Sequence, residues 1–88
     1  MENFIIENGV LIQYKGKRNS PVIPDGIKEI GILAFNRHIS LKSIVIPDSV
    51  TEIDNSAFCG CPGMTVYANK GSYAERYAKE NNIKFKAI

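Results

Sequence analysis

Apolar residues follow a pattern along this chain that is repeated once, 23 residues later. Residues 22–35 read VIPDGIKEIGILAF and residues 45–58 read VIPDSVTEIDNSAF, with eight of the fourteen aligned positions identical. A repeat of this length is typical of a solenoid, in which one unit buries its apolar side only by stacking on the next. The ungapped offset predicts two stacked pairs: Ile30 with Ile53, and Phe35 with Phe58.

Hydrophobic alternation in the second unit predicts a short strand. Leu41, Ile44 and Ile46 occupy inward positions, and Val45 points to the opposite side. Pro47 ends the strand because it has no N–H to donate to a sheet. The polar pair after it suits a turn, and inward apolar positions then resume.

The N-terminal segment predicts a β-hairpin over residues 4–14. Its Asn8-Gly9 turn is favoured because both residues accept positive φ. A polar loop follows and carries three basic residues, Lys15, Lys17 and Arg18. The loop is either a solvated turn or a contact for an anion.

The C-terminal segment predicts a helix followed by a strand. Ser72 and Glu75 form a capping box for a helix over residues 73–80. Asn81-Asn82 ends the helix, since Asn tolerates the left-handed conformation of a C-cap. Residues 83–88 alternate apolar and polar, which predicts a final strand whose inward side chains close the core.

These residues resemble the BspA-like leucine-rich repeats, a bacterial family of repeats of about 23 residues. The family pattern is approximately C-x-x-L-x-x-I-x-I-P-x-x-V-x-x-I-G-x-x-A-F. Residues 41–58 match it nearly throughout, and Cys61 falls on the Cys position. The chain departs from the pattern in three places: His38 stands at the Cys position of the first unit, Asp54 replaces Gly, and the last unit is one residue short at 64–66.

The resemblance implies an α/β solenoid: a short right-handed leucine-rich-repeat coil with a mostly parallel β-sheet on one side. The 88 residues suit a single domain. We expect a hairpin cap over residues 1–19, two repeats over 20–67 and a helix–strand cap over 68–88. The caps matter because a chain of this size buries only about 60–65% of its unfolded surface.

Charge and hydropathy narrow the possible partners. A net charge of +2 is too small to indicate nucleic-acid binding. No apolar run approaches the roughly 20 residues of a membrane span. The acidic start, Met1-Glu2-Asn3, lacks the features of a signal peptide, so the chain is either cytoplasmic or part of an exported protein. The resemblance implies the cell surface or secretion.

No residue constellation predicts an enzyme, a metal site or a cofactor. Cys59-Gly60-Cys61 lacks the second ligand pair that a zinc site needs, and a disulfide across one residue is strained. A buried structural thiol at Cys61 is the simplest interpretation, with adventitious metal binding or oxidation as the alternative. His38, the only histidine, is expected to be structural.

The concave sheet is the best candidate for a functional surface. Val22, Val45 and Tyr67 are equivalent outward positions of neighbouring coils, and Lys42 and Thr65 form the rim of this row. Solenoid sheets commonly bind proteins, and exposed apolar rows mark interaction sites. The sequence therefore predicts a non-catalytic module with a protein partner, and the resemblance to the BspA-like family implies that the module is of the adhesion type. The alternatives are a structural spacer, a self-associating element, or a row that is apolar only because β-branched residues favour strands.

Overall fold

A computed structural model of the protein describes residues 3–88. The strands form one sheet of four strands, ordered β1-β2-β3-β5, and one of three, ordered β4-β6-β7. The elements in chain order are β1 (Phe4–Glu7), β2 (Val10–Tyr14), β3 (Glu29–Ile30), β4 (Ser43–Val45), β5 (Glu52–Ile53), β6 (Thr65–Ala68), α1 (Tyr73–Glu80) and β7 (Lys84–Ala87). Residues 1 and 2, which belong to the predicted acidic start and to the predicted 1–19 cap, lie outside the described residues.

The predicted coil has a mostly parallel β-sheet on one side, whereas the structure has a second sheet as well. The chain becomes extended a second time after each Pro-Asp turn, and these second segments pair with each other as β3 and β5. Two bonds flank the pair: Thr51 N–H donates to Lys28 C=O at 2.9 Å, and Asp54 N–H donates to Ile30 C=O at 3.0 Å. Each repeat therefore contributes an extended segment to both sheets.

The two repeats stack in register, as predicted. Ile30 pairs with Ile53 in parallel, and Val22 forms a parallel bridge to Val45, both at the 23-residue offset of the sequence repeat. Serine side chains add hydrogen bonds between residues that are also 23 positions apart. Ser49 Oγ accepts from the N–H of Gly26 at 3.1 Å, and Ser56 Oγ accepts from the N–H of Leu33 at 3.2 Å.

An aromatic column runs through the stack. The Phe35 and Phe58 rings lie 5.1 Å apart and 19° from parallel, which confirms the predicted pair. Successive centroids along the column are 4.9, 5.3, 5.1 and 6.2 Å apart. Its members, in spatial order, are Phe4, Tyr14, Phe35, Phe58 and Tyr77. The column begins in the hairpin and ends in the helix, so both caps are continuous with the core of the repeats.

The N-terminal hairpin forms as predicted and also serves as the first layer of the stack. Asn8 and Gly9 have φ of 52° and 79°, which a tight hairpin turn needs. The second strand, β2, pairs in parallel with β3 and places Leu11 beside Ile30. Tyr14 N–H donates to Ala34 C=O at 2.9 Å. The hairpin therefore covers the first coil by pairing with it as well as by packing on it.

The helix and the last strand close the other end. Helix α1 has the predicted bounds, and Ser72 Oγ accepts from Glu75 N–H at 3.2 Å. The Glu75 carboxylate accepts from the N–H of Gly71, one residue earlier than a capping box requires. The buried side chains of the helix are Ala74, Tyr77 and Ala78. Asn82 has a φ of 57°, in agreement with the predicted left-handed helix end.

Replacing Phe58 by Ala should lower the free energy of unfolding by about 3–5 kcal/mol, because the change removes a buried ring from the middle of the column. Phe58 is only 8% exposed. The matched control is Ile32→Ala, since Ile32 is large and apolar but 70% exposed, and we expect it to change stability by less than about 0.5 kcal/mol. Urea unfolding of both variants checks this. Equal effects of the two changes would contradict the column as the core.

The helix cap should make stability depend on pH. The bond from Gly71 N–H, and then the Lys79 ammonium 2.8 Å away, hold the pKa of Glu75 below its usual range. A carboxyl group whose pKa is lowered by folding stabilises the protein above its unfolded pKa, about 4.3 for Glu, and loses that contribution as the pH falls through the folded pKa. Glu75→Gln should therefore lower the melting temperature at pH 7. At pH 2–3 the variant and the wild type should have the same melting temperature. A difference in melting temperature that stays constant from pH 7 to pH 2 would contradict the assignment.

Candidate functional site

The row predicted from the sequence is present on the outer face of the β4-β6-β7 sheet. Val22 bridges to Val45, and Val45 pairs with Tyr67 in β6. The 22-residue step from Val45 to Tyr67 agrees with the missing residue of the last unit. Side chains of paired residues share a face of the sheet, so these three, which we call the exposed row, lie side by side.

The exposed row faces away from the core and from helix α1. Val66 and Ala68, the neighbours of Tyr67 that point inward, are fully buried in the core cluster, which also contains Tyr77 of the helix. Because side chains alternate along a strand, Tyr67 points to the opposite side. Val22 is 58% exposed, and Val45 and Tyr67 are half-buried. The helix therefore does not cover the row.

A second row of polar side chains runs beside the exposed row. Ser43 pairs with Thr65, and Thr65 pairs with Lys84. Lys42 comes just before β4, with its side chain exposed, and its C=O accepts from Thr65 N–H at 2.9 Å. The structure thus brings the five predicted residues together on adjoining chain segments, with Lys42 at the end of its strand.

Sequence reasoning missed two lysines of this surface. Lys86 pairs with Tyr67 and extends the exposed row, and Lys84 extends the polar row. Phe85 between them packs against the core, so both lysines point outward. The alternation of residues 83–88 contained this signal. The missing information was that β7 joins the same sheet beside β6.

A shallow groove of about 420 Å³ lies next to the exposed row. Its walls include the Pro-Asp turns of both repeats, and Ile88 lies at one end. Asn69 Nδ2 donates to Asp48 Oδ2 at 2.9 Å on the groove wall. The groove is open and its turns already bond to each other, so it widens the surface without forming an enclosed pocket.

The two candidate side chains of the sequence analysis, Cys61 and His38, have the same structural role. Cys61 Sγ donates to the C=O of Phe35 at 2.9 Å, and burial raises the pKa of the Cys61 thiol, which keeps it protonated. His38 Nε2 lies 2.9 Å from the C=O of Tyr14 and must donate, because a carbonyl only accepts. Each side chain therefore satisfies the carbonyl of the aromatic residue in the preceding layer.

Asp54, which replaces the Gly of the repeat pattern, also has a structural role. Its carboxylate accepts from Ser56 Oγ at 2.7 Å and from Ser56 N–H at 2.9 Å, and these bonds lower the pKa of Asp54. Ser56 in turn accepts from the first repeat. Within residues 3–88, no three His, Cys, Asp or Glu side chains are grouped so that they could hold a metal ion.

Comparison with known families agrees with this geometry. The profile described as "BspA type Leucine rich repeat region (6 copies)" matches residues 6–86. The chain belongs to the BspA-type leucine-rich repeat family. The match extends past the two repeats at 20–67 into both ends, where β2 and β7 pair in parallel with the strands of the repeats. No curated protein and no solved structure shows significant similarity to the chain.

Membership of the BspA-type family gives a general class of function. Leucine-rich repeats of this type form repeat folds that mediate protein interaction and are not known as catalysts. Over the part of the chain that the structure describes, no helix combines the length and the apolar character needed to cross a membrane.

Proposed function

We propose that the chain is a non-catalytic, adhesion-type module that binds a protein partner through the exposed row and its polar rim. The site consists of Val22, Val45 and Tyr67, with Lys42 and Thr65 beside them. The supporting observation is the alignment of apolar side chains from three successive layers on one uncovered face. In this proposal the chain is one domain, a short right-handed solenoid, and it acts at the cell surface or outside the cell.

The chemistry of the surface fits recognition of a protein. Tyr67 offers a large apolar ring with one polar tip, a combination that interfaces favour. Lysines at a rim guide orientation more than they add affinity. The row is only a few side chains wide, well below a standard interface, so one copy should bind weakly and several copies should bind by avidity.

Tyr67→Ser should weaken partner binding at least tenfold and leave the fold intact, because the Tyr67 ring lies outside the core. Ile32→Ser is the matched control, since Ile32 is an exposed apolar residue that is not part of the row. The immobilised chain and both variants would be compared for the proteins that they retain from cell-surface extracts, with affinities measured on the purified partner. Circular dichroism checks that the variants fold.

Light scattering measures the oligomeric state of the purified chain and so tests the alternative of a self-associating element. Self-association that Tyr67→Ser abolishes, with no separate partner, would replace the adhesion proposal with a self-associating element. If Tyr67→Ser changes neither partner binding nor self-association, the face is an ordinary solvated sheet, the module is a structural spacer, and the proposal fails.

A further inference from the structure

Strand β7 leaves one edge of its sheet open. It is the last strand in the order β4-β6-β7, and within residues 3–88 it pairs with β6 alone. Ile88 N–H donates to the C=O of Ala68 at 3.1 Å. Backbone groups alternate in direction along a strand, so Lys84, Lys86 and Ile88 bond toward β6. The N–H and C=O groups of Phe85 and Ala87 therefore point to the open edge.

The side chains at this edge carry only positive charge. Lys84 and Lys86 point outward about 7 Å apart, the distance between alternate residues of a strand. Among residues 3–88 the single ion pair joins Lys79 to Glu75, so neither lysine has a described carboxylate within 4.0 Å. The outward residues of β4, β6 and β7 include no acid: Ser43, Val45, Thr65, Tyr67, Lys84 and Lys86.

The acidic side chains of the strands lie instead on the other sheet. Glu7 pairs with Val10, Val10 with Glu29, and Glu29 with Glu52, in one row across β1, β2, β3 and β5. The two sheets therefore differ in the sign of the charge on their strands. Among the described strands, β7 combines an edge position in its sheet with two lysines that form no ion pair.

We propose that β7 binds an extended acidic segment of a partner protein by strand addition, with two acidic side chains of the segment opposite Lys84 and Lys86. This inference rests on the proposed function and specifies the chemistry of the partner. Strand addition satisfies the free backbone groups of Phe85 and Ala87, and side chains at alternate positions supply specificity. Opposite charges facing each other across two strands stabilise the pair.

The same lysines disfavour other occupants of the edge. A second copy that paired β7 with β7 would bring lysines together, and charged edge strands commonly prevent such self-pairing. The phosphates of a nucleic acid could pair with the two lysines, but a nucleic acid could not form strand-type hydrogen bonds to the backbone groups between them. The residue between the two acids of the segment would lie on the side of Phe85, which is half-buried with Lys79 Nζ 6.0 Å from its ring centroid. We therefore expect an apolar residue there.

The test uses a labelled synthetic peptide, acetyl-Glu-Val-Glu-Val-Glu-amide, with acetyl-Lys-Val-Lys-Val-Lys-amide as its control. Fluorescence anisotropy gives the affinity, and amide NMR shifts locate the site. We expect the acidic peptide to bind with at least tenfold higher affinity than the basic peptide. Its binding should shift the amide signals of Phe85 and Ala87 most. Raising the salt concentration should weaken the complex.

Two variants separate charge from backbone. Lys84→Glu with Lys86→Glu should reduce binding at least tenfold, whereas the matched control, Lys17→Glu with Arg18→Glu, makes the same charge change in an exposed loop and should not. Ala87→Pro removes an N–H that points to the open edge and keeps the bonds to β6, since proline is tolerated on edge strands. It should also reduce binding at least tenfold.

Several results would overturn the inference. One is no binding of the acidic peptide at millimolar concentration, and another is binding that is unchanged in Ala87→Pro with shifts spread away from β7. Equal binding of inorganic polyphosphate, insensitive to Ala87→Pro, would show a charge effect only. Self-association that Ala87→Pro abolishes would assign the edge to a second copy. If the acidic peptide does not bind but Tyr67→Ser still weakens partner binding, the strand-addition proposal is wrong and the proposed binding site at the exposed row is retained.

Discussion

The stacking of aromatic rings through the centre of the molecule is the interaction on which the rest depends. One repeat is too short to bury its own apolar side, so it is stable only against a neighbour. Phe35 is fully buried because Tyr14 covers one face of its ring and Phe58 covers the other. The stacking of the rings also fixes the register between successive layers. A shift of one residue in the strand pairing would turn each inward side chain to the surface.

Backbone polarity is the second constraint, because the turns beside the column must satisfy their N–H and C=O groups. Phe35 N–H donates to Ala57 C=O at 2.7 Å, and Arg37 N–H donates to Cys59 C=O at 2.8 Å. The thiol of Cys61 and the imidazole of His38 satisfy two further carbonyls. Residues that look like candidates for chemistry in the sequence thus form hydrogen bonds between the layers.

The sequence predicts most of the stack and less of its surroundings. The repeat, the Asn8-Gly9 turn and the cap at Ser72 are local signals, and each appears where expected. The second sheet was not predicted, because its repeat strands, β3 and β5, have only two residues each and no alternation can show in so short a segment. Lys84 and Lys86 were missed for a different reason: strand neighbours far apart in the chain are set by tertiary pairing.

The proposed binding sites lie on the parts of the molecule that the stack leaves uncovered. Layers that repeat at a fixed offset place equivalent side chains in rows, so an outward Val or Tyr becomes part of a surface without any further design. The caps protect the apolar ends of the core, and the edge of β7 remains as a line of free backbone groups beside two lysines. A binding surface on such a scaffold is shallow and extended, which suits a partner chain better than a small molecule.

A double-mutant cycle on Phe35 and Phe58 tests the stacked column most directly. Both residues are changed to Leu, singly and together, and the free energy of unfolding is measured for each chain. Stacking predicts a coupling of about 0.5–1.5 kcal/mol between them. The same cycle on Phe4 and Phe58, which two other rings separate, should be additive within about 0.5 kcal/mol. Additive effects of Phe35→Leu and Phe58→Leu would contradict the account.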